Sequence, residues 1–389
     1  MTRREWLAAA VAAHAAGAER TEAERAEYLR RLLGKLCTEL GPRPSGSKAF
    51  DAGMRIVHRE LRAALPKVEY DAVTFRRWTT SGKARFRAGG RDFETYIAEN
   101  SPGTPDGGVR GALRRAGSGF EIADRESGRA LARFRVSEFG RAIASLHTGT
   151  DEVPLFSIGR QDMAGLDELA RANAPAEAEA AVRWIGAARA RNVIGTVAGE
   201  SREEILVVAH ADTKYNTPGA NDNTASLITM VMAARAMGGR KPKRTLRFLA
   251  TAGEELSYFG AKHYAERRRR EGTLGDVKIC INLDSLTYGP NWQINTTDGE
   301  LAELILAVHR DLGIRAEPKV FHRDDTMDSA PFKAGGARTV HINSRGDDAR
   351  TLPLWHRPED TAETIKTEFV ENSFRVLVEL LDRLQRRGG

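Results

Sequence analysis

The chain has 389 residues, 41% hydrophobic and 29% charged, which indicates a folded globular protein of two or three units at about 150 residues each, or one large α/β domain with an insertion. Its two cysteines, Cys37 and Cys280, exclude a disulfide framework and a thiolate zinc site, and no apolar run approaches the roughly 18 residues of a membrane span. The net charge of +7 would suit a protein that binds nucleic acid. Basic and acidic residues are interspersed, however, and no nucleic-acid recognition motif is present, so we expect neither a nucleic-acid nor a membrane partner.

Two interpretations of the N-terminus stay open. Residues 2–7 contain paired arginines followed by alanines and resemble a twin-arginine export signal. The apolar stretch that follows is short, is interrupted by His14 and runs into a charged segment, as in an amphipathic helix that stays on the protein. We expect a cytoplasmic protein, with export through the twin-arginine signal as the alternative.

The first regular elements are helical. Apolar residues at helical spacing predict a helix over residues 22–40. Residues 41–47, Gly-Pro-Arg-Pro-Ser-Gly-Ser, end it; they lack the Gly-Lys-Ser/Thr ending of a phosphate loop, so we predict a structured turn. A second helix is predicted over 48–65 and a strand over 68–75.

The pattern changes between residues 81 and 190. Short strand-like pieces are separated by Gly, Pro and Asp turns, and one clear helical stretch covers 163–170. The strand-like pieces are 93–97, 132–136 and 153–158. This segment therefore predicts a smaller β-rich domain inserted into the main one.

From residue 192 onward strands alternate with helices. A strand is predicted over 204–209, and its residues 205–208 are continuously apolar, as in a buried sheet. The other predicted strands are 192–197, 245–250, 277–283 and 338–342, and the helices are 224–237, 258–270, 301–312 and 369–384. We predict a three-layer α/β/α fold with a mixed, largely parallel central sheet. The predicted domain limits are 1–80 for the N-terminal helices and first strand, 81–190 for the inserted domain and 191–389 for most of the main domain.

One dense basic run, residues 267–270, lies in this second half beside Glu266 and Glu271. A solvated helix face explains the run better than a phosphate-binding patch does.

Acidic and imidazole residues follow the predicted strands. They are His210, Asp212, Glu254, Glu255 and Asp284, with Asp222 and His356 in adjoining loops. Ligands of open α/β sheets collect at the carboxyl ends of the strands, so we expect these side chains to converge.

Each of these residues also has a simpler explanation. Asp222 could cap the next helix, Glu254 and Glu255 could be a solvated helical turn, and Asp284 could accept backbone hydrogen bonds. A single histidine such as His356 is usually a surface or core residue. Taken together, however, these residues favour a metal site over the separate explanations. Imidazoles and carboxylates without thiolates suit two hydrolytic Zn²⁺ ions bridged by a carboxylate.

Five motifs in order carry a family resemblance. They are His210-x-Asp212, Gly219-Ala220-x-Asp222-Asn223, Glu254-Glu255-x-x-x-x-Gly260-Ala261, Asn282-x-Asp284 and His356-x-x-x-Asp360-Thr361. Together they resemble the zinc exopeptidase family of bacterial leucyl aminopeptidases, glutamate carboxypeptidase and, with altered metal content, glutaminyl cyclase. The resemblance covers roughly residues 33–75 and 190–382. The inserted domain is more loosely similar to the protease-associated domain found in many members.

The resemblance implies a role for each residue. His210 and Asp284 would hold one zinc, Glu255 and His356 the other, and Asp222 would bridge both. Asp212 would orient the His210 imidazole. Glu254 would be the general base that takes a proton from water and delivers it to the leaving amine.

The sequence departs from the family at the oxyanion donor. Relatives commonly carry a tyrosine where this chain has Trp355 or Thr326-Met327. A zinc ion could serve instead, alone or together with His322. Trp355 could line the substrate pocket or only pack. Arg345 and Arg350 could bind a substrate carboxylate, although surface arginines are the simpler interpretation.

We therefore expect a zinc metallopeptidase with two Zn²⁺ per chain that cleaves peptide or small amide substrates, as an aminopeptidase. The alternatives within the family are a carboxypeptidase, another amide hydrolase and a single-zinc cyclising acyltransferase. A metal-free receptor that kept the fold is a third class of hypothesis. The sequence leaves the oligomeric state open.

Overall fold

The structure, a computed structural model, describes residues 21–150, 152–323, 326–345 and 354–386. The arginine pair of the predicted export signal lies outside these residues, as does Arg350. Within the described ranges, no helix combines the length and apolar character needed to cross a membrane.

The elements alternate along the second half of the chain as predicted. The strands are β1 (Lys67–Ala88), β2 (Arg91–Asp92), β3 (Thr95–Ile97), β4 (Val109–Ala116), β5 (Gly119–Ala123), β6 (Ala130–Ser137), β7 (Leu155–Gly159), β8 (Pro175–Val197), β9 (Ser201–His210), β10 (Arg244–Thr251), β11 (Val277–Leu283), β12 (Asn291–Asn295), β13 (Lys319–Phe321) and β14 (Arg338–Arg345). The helices are α1 (Glu22–Leu33), α2 (Lys48–Arg62), α3 (Met163–Arg171), α4 (Ala225–Met237), α5 (Phe259–Arg270), α6 (Gly299–Asp311), α7 (Ala330–Lys333) and α8 (Thr367–Arg386).

The main sheet is mixed and its centre is parallel. Its strands run in the order β13-β12-β14-β11-β9-β10-β8. The neighbours β10, β9, β11 and β14 are parallel to one another, whereas β8 and β12 join antiparallel at either side. The predicted fold class is confirmed.

Helices cover both faces of this sheet. Along β9, Ile205 and Val207 belong to the core formed with α1, α2, α4, α6 and α8, whereas Leu206 and Val208 belong to the core formed with α5 and α7. Successive side chains of a strand point to opposite faces, so a strand covered on both sides is apolar at every position. This is why residues 205–209 lack polar alternation.

A β-rich unit interrupts the main one. It has its own core, which contains Trp78, Phe86, Phe120, Phe134 and Phe156. The strands β1 and β8 run antiparallel from the main sheet into this unit, pairing from Lys67 with Thr196 to Ala88 with Ala176. The predicted limits at 80/81 and 190/191 fall within these two long strands. The assignment of the unit to the protease-associated class stays a prediction.

The basic run at the end of α5 is ion-paired rather than simply solvated. The Arg268 guanidinium is buried and lies 2.8 Å from Glu204, and Arg267 lies 3.2 Å from Glu69. Arg269 and Arg270 both contact Glu266 on the same helix. Arg267 and Arg268 therefore anchor α5 to the sheet at this end, whereas Arg269 and Arg270 stay more than half exposed, as predicted for a solvated helix face.

The predicted turn over residues 41–47 supports the loops of the site. The buried Arg43 guanidinium donates hydrogen bonds to the carbonyl oxygens of Leu36, Gly41 and Pro218 and to the Thr224 hydroxyl. These bonds tie the start of the chain to the loop between β9 and α4. Helix α1 also continues as predicted, through one wider π-helical turn, Gly34–Glu39.

Candidate metal centre

The carboxyl ends of three parallel strands bring predicted site residues together. His210 is the last residue of β9, Asp284 follows β11, and Glu254 and Glu255 lie in a short helical turn after β10. Gly253 makes that turn possible, because its φ is +69° and a Cβ there would lie 2.0 Å from the Phe259 ring.

Asp222 lies in the loop before α4, and hydrogen bonds to other segments hold the backbone of this loop in place. Asp360 accepts hydrogen bonds from the backbone amides of Asp222 and Asn221 at 3.1 and 2.8 Å. Asn223 links the loop to the end of β11 by donating to the Leu283 carbonyl at 2.9 Å. Asp222 is therefore fixed between the strand ends and is not a helix cap, as no capping hydrogen bond from its side chain is found.

The five predicted ligand residues form two overlapping groups that share Asp222. One group is His210, Asp222 and Asp284; the other is Asp222, Glu255 and His356. In each group the candidate ligand atoms lie within 4.8 Å of one another. His210 Nε2 is 3.2 Å from Asp222 Oδ1, and His356 Nε2 is 3.4 Å from Asp222 Oδ2. The two carboxylate oxygens of Asp222 therefore face one group each.

The charges in this cluster perturb one another. Burial alone would raise the pKa of Glu255, but His356 and Lys214 lower it to about 2. Burial alone would lower the pKa of His356, but Glu255 and Asp222 raise it to about 9. Burial raises the pKa of Glu254 well above its usual value, and the charges of Asp284 and Glu255 add to this effect. The two adjacent glutamates are thus shifted in opposite directions.

The imidazole of His210 is oriented by a main-chain carbonyl. His210 Nδ1 donates to the Asp212 carbonyl oxygen at 3.1 Å, whereas the Asp212 carboxylate oxygen is 3.6 Å from that nitrogen. The Asp212 carboxylate accepts a hydrogen bond from the Glu254 backbone amide at 3.3 Å. Asp212 thus contacts His210 mainly through its main chain, and its carboxylate supports Glu254.

The cluster fits a metal pair. His210 Nε2 and Glu255 Oε1 are buried without a hydrogen-bond partner among the described residues. Buried polar atoms of this kind are expensive unless something satisfies them. Imidazole and carboxylate donors without thiolate are a set that zinc accepts.

A cavity of about 300 Å³ opens onto the cluster. Trp355 lines it, stacks on His356 with ring centres 3.8 Å apart and meets the edge of Phe139, so it both forms the wall and packs. Arg345 also lines the cavity. His322 is exposed and does not line the cavity. Tyr258, for which no role was predicted from the sequence, does line it.

Several supporting residues were missed by sequence reasoning. Asp360 belongs to the last of the five motifs, but its hydrogen bonds to the loop of Asp222 were not predicted. Asp328 is fully buried beneath the site, where it accepts a hydrogen bond from Thr251 and burial raises its pKa to about 7. Lys214 and Glu99, a buried ion pair next to Glu255, gave no sequence signal because they are far apart in the chain.

The fold and the cluster define an α/β protein with a hydrolytic type of metal centre at the strand ends. Residues 192–381, which contain the whole cluster, match the sequence model of peptidase family M28. This segment, 190 of the 389 residues, has the sequence of an M28 peptidase, in agreement with the resemblance to the zinc exopeptidases.

Relatives agree with this assignment. The aminopeptidase YwaD of Bacillus subtilis is 23% identical over 93% of this chain and 86% of its own length. A probable leucine aminopeptidase 2 of Aspergillus oryzae is 26% identical, over only 28% of this chain and 22% of its own.

Solved structures share the fold over nearly the whole chain. A zinc aminopeptidase from Bacillus subtilis superposes with a TM-score of 0.73 at 18% identity, covering 93% of this chain and 95% of its own. An aminopeptidase from an Aneurinibacillus species gives a TM-score of 0.71 at 20% identity, covering 93% and 94%.

Proposed function

We propose that the protein is an aminopeptidase that uses two zinc ions per chain and Glu254 as general base. The observation that carries this proposal is the sharing of Asp222 between two buried groups of ligand residues, with a glutamate outside both groups beside them. A single-metal site would need only one of the groups.

His210 and Asp284 would hold one ion, Glu255 and His356 the other, and Asp222 would bridge them. When bound, the ions would lower the pKa of a water held between them and polarise the carbonyl of the scissile bond.

Glu254 is suited to proton transfer because it lies at the cavity wall and belongs to neither ligand group. Its carboxylate would take the proton of the attacking water and give it to the nitrogen of the leaving amine. Burial and the neighbouring carboxylates raise the pKa of Glu254, which makes its carboxylate a stronger proton acceptor. The Asp212 carboxylate holds the Glu254 backbone in place for this task.

One observation favours a second candidate. Arg345 lines the cavity and is half-buried, so a substrate carboxylate could bind it, as in a carboxypeptidase. The names of the relatives favour an aminopeptidase.

A peptide panel separates the candidates. Each peptide is offered with a free amine, or with a blocked amine and a free carboxylate, with and without a chelator. We expect cleavage of free-amine peptides from the N-terminus, abolished by the chelator and restored by added zinc. Cleavage of only the amine-blocked peptides would identify a carboxypeptidase, and no hydrolysis of any peptide with zinc present would contradict both.

A further inference from the structure

The two ligand groups differ in what surrounds them. The group of His210 and Asp284 is supported from within the main unit: Asp212 contacts His210, and the Ser285 hydroxyl donates to Asp284 at 2.9 Å. The group of Glu255 and His356 is supported across the junction with the inserted unit. Chain segments between β1 and β8 therefore contact one half of the cluster.

Two hydrogen bonds join His356 to Ala144 of the inserted unit. Its Nδ1 donates to the Ala144 carbonyl oxygen at 3.0 Å, and the Ala144 amide donates back to the His356 carbonyl oxygen at 3.2 Å. The neighbouring Arg357 guanidinium is buried and donates to the Ala142 carbonyl and to Glu94. The imidazole plane is thus fixed by residues of the inserted unit.

Glu255 is reached through a buried lysine. Lys214 Nζ lies 3.1 Å from Glu255 Oε2 and donates to the Glu255 carbonyl oxygen at 2.7 Å. On its other side Lys214 lies 3.0 Å from Glu99 of the inserted unit, and both side chains are at most 5% exposed. The tyrosine next in sequence, Tyr215, donates to the Ile97 carbonyl at 2.8 Å, so the whole loop rests on that unit.

A lysine beside a cation site opposes metal binding unless its charge is balanced. In a buried environment a single unbalanced charge a few ångströms away acts strongly, because solvent screens it little. Glu99 supplies the balancing charge and leaves Lys214 free to hold the Glu255 carboxylate in place.

We propose that Glu99, through Lys214, is a positioning residue for the Glu255–His356 metal subsite, so that the inserted unit controls the affinity of one metal ion and not of the other. This inference rests on the proposed two-zinc function. It makes the inserted unit part of the metal centre rather than only a cover over it.

The test is a zinc titration by competition with a chromophoric chelator, on the full chain. Glu99→Gln keeps the shape of the side chain and removes its charge. We expect one dissociation constant to rise about 10- to 100-fold, the range for residues that support metal ligands, and the other to change less than about threefold. Glu99→Asp, which keeps the charge, should restore most of the lost affinity.

Arg141→Gln is the matched control. Arg141 contacts Glu94 within the inserted unit and Glu359 across the same junction, each at 2.9 Å, but contacts none of the ligand side chains. We expect both zinc affinities to stay at the wild-type values in this variant. An equal loss in Arg141→Gln and Glu99→Gln would mean that general loosening of the junction is responsible, and would overturn the proposal.

Two backgrounds identify the affected subsite. In Asp284→Asn, which keeps the Glu255–His356 subsite, Glu99→Gln should still weaken zinc binding; in His356→Ala it should have no further effect. Unchanged affinities in Glu99→Gln, or equal weakening at both subsites, would overturn the proposal. A wild-type chain that binds only one zinc would instead contradict the proposed two-zinc function, which keeps the two failures distinguishable.

Discussion

Two adjacent glutamates with opposite environments are the main residue-scale feature of the site. Glu255 lies against His356 and Lys214, which stabilise its charged form and lower its pKa. Glu254 lies near other carboxylates and is largely enclosed, with its side chain 13% exposed, so its pKa is raised. Neighbouring residues can differ in this way because Glu254 and Glu255 lie in a 3-10 turn, in which successive side chains point about 120° apart. This division suits one residue to metal binding and the other to proton transfer.

Asp360 gives a prediction at the same scale. Its carboxylate accepts hydrogen bonds from two consecutive backbone amides that lead to Asp222. In Asp360→Asn a side-chain NH₂ would face one of these amides, so the bridging residue would shift. We expect zinc affinity to fall about 10- to 100-fold with the fold intact, measured by zinc content after equilibrium dialysis against a chelator.

Glu363→Gln is the control for Asp360→Asn, because Glu363 is close in sequence and contacts no ligand loop in the described hydrogen bonds. Wild-type zinc content in both variants would show that Asp360 does not hold the bridging residue.

Sequence reasoning found the residues of the cluster but not their supports. The five proposed ligand positions and Glu254 stand in short motifs whose order is recognisable. Asp360, Asp328 and the Lys214–Glu99 pair act through contacts between distant segments, for which a single sequence has no local signal. The orientation of His210 by the Asp212 main chain, with the carboxylate more distant, is also a matter of geometry.

At the scale of elements, the α/β half was predictable and the inserted unit was only partly so. Strands covered on both faces are apolar runs, and amphipathic helices show helical spacing, so β9, β11 and α8 were predicted to within a few residues. The ribbon of β1 and β8 was underestimated, because both strands are arginine- and alanine-rich and half-exposed along much of their length. The short strands β12 and β13 were missed, since they are only a few residues long.

Helix α6 carries a titratable group that gives a pH prediction. His309 is buried against the Trp292 ring, and burial lowers the pKa of its imidazole to about 4. Between pH 6.5 and 4 the unfolded chain therefore binds a proton that the native protein does not. The free energy of unfolding therefore decreases as the pH is lowered through that window, by roughly 2–3 kcal/mol in total. Above the window the histidine has no effect on stability.

His309→Leu removes this titration. In urea unfolding at pH 7 and pH 4.5, the free energy of unfolding of the variant should fall by roughly 2–3 kcal/mol less than that of the wild-type chain over the same interval. Equal acid sensitivity of the two proteins would show that His309 is protonated in the native state.

At the scale of the whole molecule, the two units meet at the metal centre. The main unit supplies the five proposed ligand residues and Glu254, and the inserted unit contributes Phe139 and Leu146 to the cavity wall and contacts His356. The net charge of +7 is compatible with this arrangement, because arginines are distributed over ion pairs such as Arg268 with Glu204 rather than gathered for nucleic acid. The charge therefore says little about the substrate.

The central claim is that Glu254 transfers the proton in a site whose metal ligands are other residues. Glu254→Gln, measured for zinc content and for turnover of a free-amine peptide, tests it directly. We predict two zinc ions per chain, an unchanged fold and a loss of about three orders of magnitude or more in turnover, because water deprotonation and protonation of the leaving amine fail together. Glu255→Gln, the adjacent comparison, should lose zinc as well as activity. Near-normal turnover in Glu254→Gln, or loss of zinc from it, would contradict the claim.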